Sequence, residues 1–137
     1  TFANLNALSD VSLTNTASNQ ILSYNGSQFV NTDKIENIEL DNYKETVYSI
    51  GPNDSPIITV SNGNVQTVSI VAGLALPAFT DAAAGQSVTL LVSGSGTATG
   101  TGNHIFAGGN TTLTTNSVVS IFYDGTTYWT SIATDFQ

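Results

Sequence analysis

The chain contains no cysteine and no methionine. Without thiols, disulfides and thiolate metal sites are excluded, so the fold rests on burial, hydrogen bonding and association. The missing methionine at position 1 reads as a processed product or a fragment of something longer. Charge is also scarce. Only 9% of residues are charged, against about 25% in ordinary soluble proteins. Arginine is absent, and two lysines face ten carboxylates, leaving a net charge of −8. Phosphate backbones are bound by basic clusters that release counterions, so a nucleic-acid partner is not expected. The same sign disfavours anionic membrane surfaces. No apolar run approaches the ~20 residues that span a bilayer, and no membrane insertion is expected. No segment carries a helical period of apolar residues.

What fills the chain instead is threonine, serine and asparagine. Threonine is β-branched and suits the exposed face of a sheet, while serine and asparagine suit turns. This composition fits an extracellular or virion β-protein better than a cytosolic enzyme. At 137 residues the length fits one compact domain with a short extension.

Three stretches differ in character. Residues 1–33 are poor in apolar residues, with Leu5, Leu8, Val11 and Leu13 spaced for neither helix nor strand. They read as an irregular, extended arm that ends in a small hairpin and needs a surface to lie on. Residues 34–45 form an acidic connector; Asp33 just before it, with Glu36, Glu39, Asp41 and Glu45 inside it, make up half of all the carboxylates. Their spacing does not match a calcium loop, which needs alternating oxygen ligands and a distal Glu. Residues 46–137 read as β throughout. Thr46–Ile50, Ile57–Val60, Val65–Ile70, Ser87–Val92, His104–Phe106, Ser117–Tyr123 and Thr127–Ala133 are strand-like. Leu74–Phe79 is at best an edge strand, since Pro77 cannot donate to a ladder. The Gly/Ser/Thr stretch 94–102 reads as a mobile loop. Short strands separated by turn signals predict an all-β fold, an antiparallel β-sandwich or jelly roll.

One hairpin pattern occurs twice. Tyr24-Asn25-Gly26-Ser27-Gln28-Phe29 and Tyr123-Asp124-Gly125-Thr126-Thr127-Tyr128 both read Tyr-(Asn or Asp)-Gly-x-x-aromatic. Asn-Gly and Asp-Gly between β-rich runs are strong hairpin signals, because the turn needs positive φ.

These motifs, in this order, resemble a module in structural proteins of marine tailed phages, notably cyanophages. The resemblance rests on Asp41–Val47, Ser61–Val68, Val88–Val92, Phe106–Thr111 and Phe122–Trp129. Leu8–Leu13 with Gln20–Gly26 is similar to an element common in phage fibres and appendages. Gln66 stands where the module usually has an aromatic, and Phe29 and Phe106 stand where tryptophan is usual. The resemblance implies a virion surface component, usually a tail fibre or related appendage and often a trimer.

Catalytic patterns are thin. His104 is the sole histidine, and no nucleophile elbow precedes a helix. It reads as a strand-end histidine beside a loop. The glycines from Gly94 to Gly102 lack the lysine and helix of a phosphate-binding loop. No cofactor or metal is expected, and the chain is not expected to be an enzyme. The aromatic groups of the terminal hairpin, Tyr123, Tyr128 and Trp129, together with His104, are the candidates for receptor or interface contact. Strand alternation places Tyr128 and Ile132 inward and Trp129 at a rim or interface. A sugar-stacking platform of the hairpin aromatics is the narrower alternative. Leu5, Leu8, Val11 and Leu13 are the candidate oligomer contacts. The expected function is a tail-fibre or appendage component on the virion surface, contacting a host glycan or protein. A capsid decoration protein and a lectin-like module are the alternatives. The expected partners are further copies of the chain, most simply in a trimer, and other virion proteins.

Overall fold

The computed structural model describes residues 8–33, 41 and 43–134. The chain divides into two compact units, Thr1–Tyr43 and Lys44–Gln137.

The first unit holds three short strands, β1 (Val11–Ser12), β2 (Ile21–Tyr24) and β3 (Phe29–Thr32). Their order is β1-β3-β2, with β1 parallel and β2 antiparallel to β3. Polar side chains stitch it together. Asn31 Oδ1 accepts from the Thr14 amide at 2.9 Å, and its Nδ2 donates to the Gln20 side-chain oxygen Oε1 at 2.6 Å. Apolar burial contributes little here. Val11 is buried, but Leu8, Ile21, Leu22, Tyr24 and Phe29 are exposed. Of the four arm residues, Leu13 is half-buried, and Leu5 lies outside the described residues. Most of the acidic connector does too.

The second unit is all-β, as its composition and turn spacing predict. Nine strands follow: β4 (Val47–Pro52), β5 (Val65–Ser69), β6 (Gly73–Leu76), β7 (Gln86–Ser93), β8 (Gly96–Gly100), β9 (His104–Phe106), β10 (Thr112–Leu113), β11 (Asn116–Tyr123) and β12 (Tyr128–Ala133). They form a six-stranded sheet, β4-β5-β7-β11-β12-β9, and a three-stranded sheet, β10-β8-β6. Between β5 and β10 the chain changes sheet at every step. That winding makes β5 parallel to β7 and β6 parallel to β8, because parallel neighbours need a crossover, and here each crossover contains a strand. Val65 lies opposite Thr89 and Gly73 opposite Thr97, the same advance along the chain in both sheets. The antiparallel hairpin β11–β12 then inserts between β7 and β9. The sheets are therefore mixed rather than purely antiparallel.

One core lies between the two sheets. Val68, Val88, Leu90, Val92, Val119, Ile121 and Tyr128 enter it from the larger sheet, and Leu74, Leu76, Ala98 and Leu113 from the smaller. Strict in-out alternation along β7 and β11 produces this face. At roughly 1.5–3 kcal/mol for each large apolar side chain buried, this cluster is the main source of stability.

Two expectations change. The stretch Gly94–Gly102 is not a mobile loop, since it contains β8, the central strand of the small sheet. Gly94, Gly96 and Gly100 sit where a Cβ would collide with a neighbour, while Gly102 has open space and a φ of 76°. A Cβ built on Gly96 would stand 2.6 Å from the Ala72 carbonyl oxygen, and one on Gly73 of the neighbouring β6 2.8 Å from that of its partner Thr97. Ile57–Val60 is not a regular strand. It makes a single bridge, Thr59 with Thr80, before a tight turn at Val60–Asn62. Ile58 and Val60 still reach the core.

Candidate functional site

The two Asx-Gly hairpins close in the same way. Asn25 Oδ1 accepts from the amides of Ser27 and Gln28, both at 3.0 Å. Asp124 Oδ1 accepts from those of Thr126 and Thr127 at 2.8 and 2.7 Å. In both, the Asx amide donates to the carbonyl three residues on. The glycines, Gly26 and Gly125, have φ of 96° and 105°. The copies part at the next position, where Val30 in the first corresponds to Trp129 in the second. Trp129 Nε1 donates to Asp124 Oδ2 at 2.7 Å. An asparagine at position 124 would present an amide donor to that indole, so the second copy needs the carboxylate. The Thr127 amide, the Trp129 indole and the Thr126 amide, in that order, hold the Asp124 carboxyl below its ordinary range.

The aromatic candidates do not form one platform. Tyr123, Tyr128 and His104 stack as a three-ring column: Tyr123 to Tyr128 at 4.4 Å, and Tyr128 to His104 at 4.6 Å. Tyr128 is buried, and Phe79 meets it edge-on at 4.9 Å. The Phe79 amide donates to the Tyr128 hydroxyl at 3.1 Å. Tyr128 is therefore a core tie between distant segments and not an exposed receptor contact.

His104 belongs to the same column. Its Nε2 donates to the Pro77 carbonyl at 3.1 Å, because a carbonyl can only accept. Nδ1 then accepts from the Thr130 hydroxyl at 3.0 Å. Burial pushes the His104 pKa down, partly offset by the Pro77 bond. With both nitrogens engaged in the packed column, His104 serves the fold and is not offered to a partner.

Trp129 points to the opposite, outer face of the six-stranded sheet and is 50% exposed. Pairing sets its neighbours. Phe122 lies beside it on β11 and Ile105 on β9, and Ser87 lies beyond Phe122 on β7. The next outward row is hydroxylic: Thr89, Ser120 and Ser131. The row after that returns to apolar, with Leu91 and Val118. Phe122, Ile105 and Leu91 are all exposed. Trp129, Phe122, Ile105 and the hydroxyl row line a depression of about 660 Å³, within the usual range for ligand pockets. Leu91 and Val118 line a smaller one of about 320 Å³.

The strands β4–β12 contain no Asp, Glu, Lys or Arg. The outer face is thus neutral in a chain of net charge −8, and Asp124 is the carboxylate at its rim. The sheet edges are guarded. β4 carries a bulge between Ser49 and Gly51 and ends at Pro52, and β9 has only three residues. Bulges, proline and short length deter strand addition, so the open surface is the face and not an edge.

Among the described residues no group of three or more His, Asp or Glu side chains is placed to hold a metal, and no helix is long and apolar enough to cross a membrane. Sequence reading missed the Asp124–Trp129 pair and the Phe122–Ile105 flanks. The spacing of Asp124 and Trp129 was visible, but only the fold brings β9 beside β12. No family model, curated protein or solved structure matches the chain.

Proposed function

We propose that this chain is a non-enzymatic structural domain of a phage virion, a tail-fibre or appendage component that meets the host surface. The observation that carries the reading is the outer face of the six-stranded sheet. Its strands carry no charged residue, its depression is lined by Trp129, Phe122 and Ile105, and the Asp124 bond orients the indole. Apolar patches rimmed by polar residues mark interaction sites. The ordered resemblance to marine phage structural modules supplies the virion context. The non-enzymatic part is supported by the chemistry at the face. Glycoside hydrolysis needs paired carboxylates, and the residues lining the depression include no Asp or Glu. The sole histidine lies on the other side of the sheet.

The first unit supports an assembled state. Leu8, Ile21, Leu22, Tyr24 and Phe29 remain exposed, and such a surface gains stability by lying against another chain. A trimer is the assembly that the resemblance implies. A capsid decoration protein is the competing placement, with the same unit lying on the shell. Immuno-electron microscopy of intact particles, using an antibody to the second unit, tests both. Label at the tail or its appendages supports the proposal. Label over the capsid shell favours the decoration reading, and unlabelled particles reject both.

A further inference from the structure

We infer that the depression around Trp129 binds a neutral glycan, with one pyranose ring stacked on the indole and its hydroxyls held by the serine and threonine row. This inference rests on the adhesive reading above and names the ligand class of that face.

Three observations select the occupant. The first is the indole itself. Its edge is tied to Asp124 by a hydrogen bond of 2.7 Å, so its plane is set before any ligand arrives. A preorganised ring loses little freedom on binding. A pyranose offers a flat patch of C–H groups to such a ring and hydroxyls around its rim. The second is the order of the rows. Beside the apolar row of Phe122, Trp129 and Ile105 runs the hydroxyl row of Thr89, Ser120 and Ser131. Apolar stacking next to a line of uncharged donors and acceptors matches a sugar. A protein partner would be expected to meet a broader apolar centre. The third is charge. The strands supply no cation to pair with an acidic ligand. Asp124 is held ionised by its three N–H donors and stands against the ring edge. It accepts three hydrogen bonds from neighbouring N–H groups. A sialic or uronic acid carboxylate at that point meets a like charge and no compensating base. The site therefore takes neutral sugars and rejects acidic ones.

Asp124 acts here as a positioning residue with a second role in discrimination. Asn25 closes the equivalent hairpin in the first unit with the same two amide bonds. Asp124→Asn is therefore a substitution the turn accepts, while the tie to the indole is lost.

The chain has one tryptophan, so intrinsic tryptophan fluorescence of the intact protein reports Trp129 alone. The intact chain is screened on an array of neutral oligosaccharides and their sialylated counterparts. The best neutral probe is then titrated with fluorescence and calorimetry as readouts. The expected result is a saturable change in Trp129 emission with a neutral probe and none with its sialylated form. Trp129→Ala should weaken calorimetric binding about tenfold or more, the scale for an anchoring aromatic. Asp124→Asn should keep the melting temperature, weaken the neutral probe and narrow the gap to the acidic one. A purely structural role for Asp124 would not move that preference. Three results overturn the inference: no neutral probe perturbs Trp129, Trp129→Ala binds as before, or acrylamide fails to quench Trp129 in an associated state. The last would assign the face to a second copy. These measurements use the isolated chain, and the particle labelling uses virions, so either proposal can fail without the other.

Discussion

Gln66 shows how a single side chain departs from its surroundings. It occupies an inward position of β5 and is fully buried. Its Nε2 donates to the carbonyls of Thr59 and Gly63, both at 2.9 Å, and so fastens the tight turn at Val60–Asn62. Its Oε1 is buried without a hydrogen-bond partner, a cost of about 1–3 kcal/mol set against the two bonds its amide donates. Gly125 is the second case. Its φ of 105° is a region that L side chains rarely adopt, and a Cβ there would lie 3.0 Å from the Ala84 Cβ. Gly125→Val is expected to cost about 1–3 kcal/mol, read as a lowered denaturation midpoint. His104 is the third. Burial lowers its pKa from the ordinary 6.5, so the folded protein resists the proton that the unfolded chain accepts. The stabilising effect of keeping it neutral is complete above pH 6.5 and declines as the pH falls through that value toward the lower folded pKa. Melting temperature measured between about pH 7.5 and pH 5 should fall more steeply for the native chain than for His104→Gln.

At the scale of elements, small residues decide where two backbones meet. Gly73 on β6 faces Thr97 on β8, and a Cβ there would press to 2.8 Å on the Thr97 carbonyl oxygen. Gly73 does not have a positive φ, so an alanine at this site tests packing alone. Gly73→Ala should destabilise by roughly 1–3 kcal/mol, the range for overpacking a tight site, as read by chemical denaturation. The Gly/Ser/Thr run of β8 resembles a loop in sequence because composition does not distinguish glycine required for freedom from glycine required for closeness. The strands that alternate cleanly, β5, β7, β11 and β12, were legible. Their period of two is a property of the strand itself, while close approach is a property of its neighbour.

The whole molecule couples a core-poor first unit to a well-packed second one. Exposed apolar residues in the first unit and a net charge of −8 act in opposite directions. Hydrophobic contact favours association, and like charge opposes it and is weakened by salt. Light scattering should therefore give a mass that is a multiple of 14.2 kDa, with association strengthened by added salt. A monomer at high protein concentration and high salt would remove the assembly part of the proposed function. The order of the six-stranded sheet adds a constraint on folding. The hairpin β11–β12 comes last in the chain yet sits between β7 and β9. The large sheet is completed only when the final segment arrives.

The sequence by itself determined the β class and the inward face of the long strands, because each depends on a few adjacent residues. It also determined the matching hairpin geometry, since Asn25 and Asp124 need only their own following amides. The tertiary structure alone decided the rest. It stacked His104 on Tyr128 and brought Phe122 and Ile105 beside the outward Trp129. It made the sheets mixed rather than antiparallel, because the chain crosses between layers before it returns. Contacts of this kind join residues far apart in sequence. Which strand neighbours which is fixed by burying all the inward faces in one core at once.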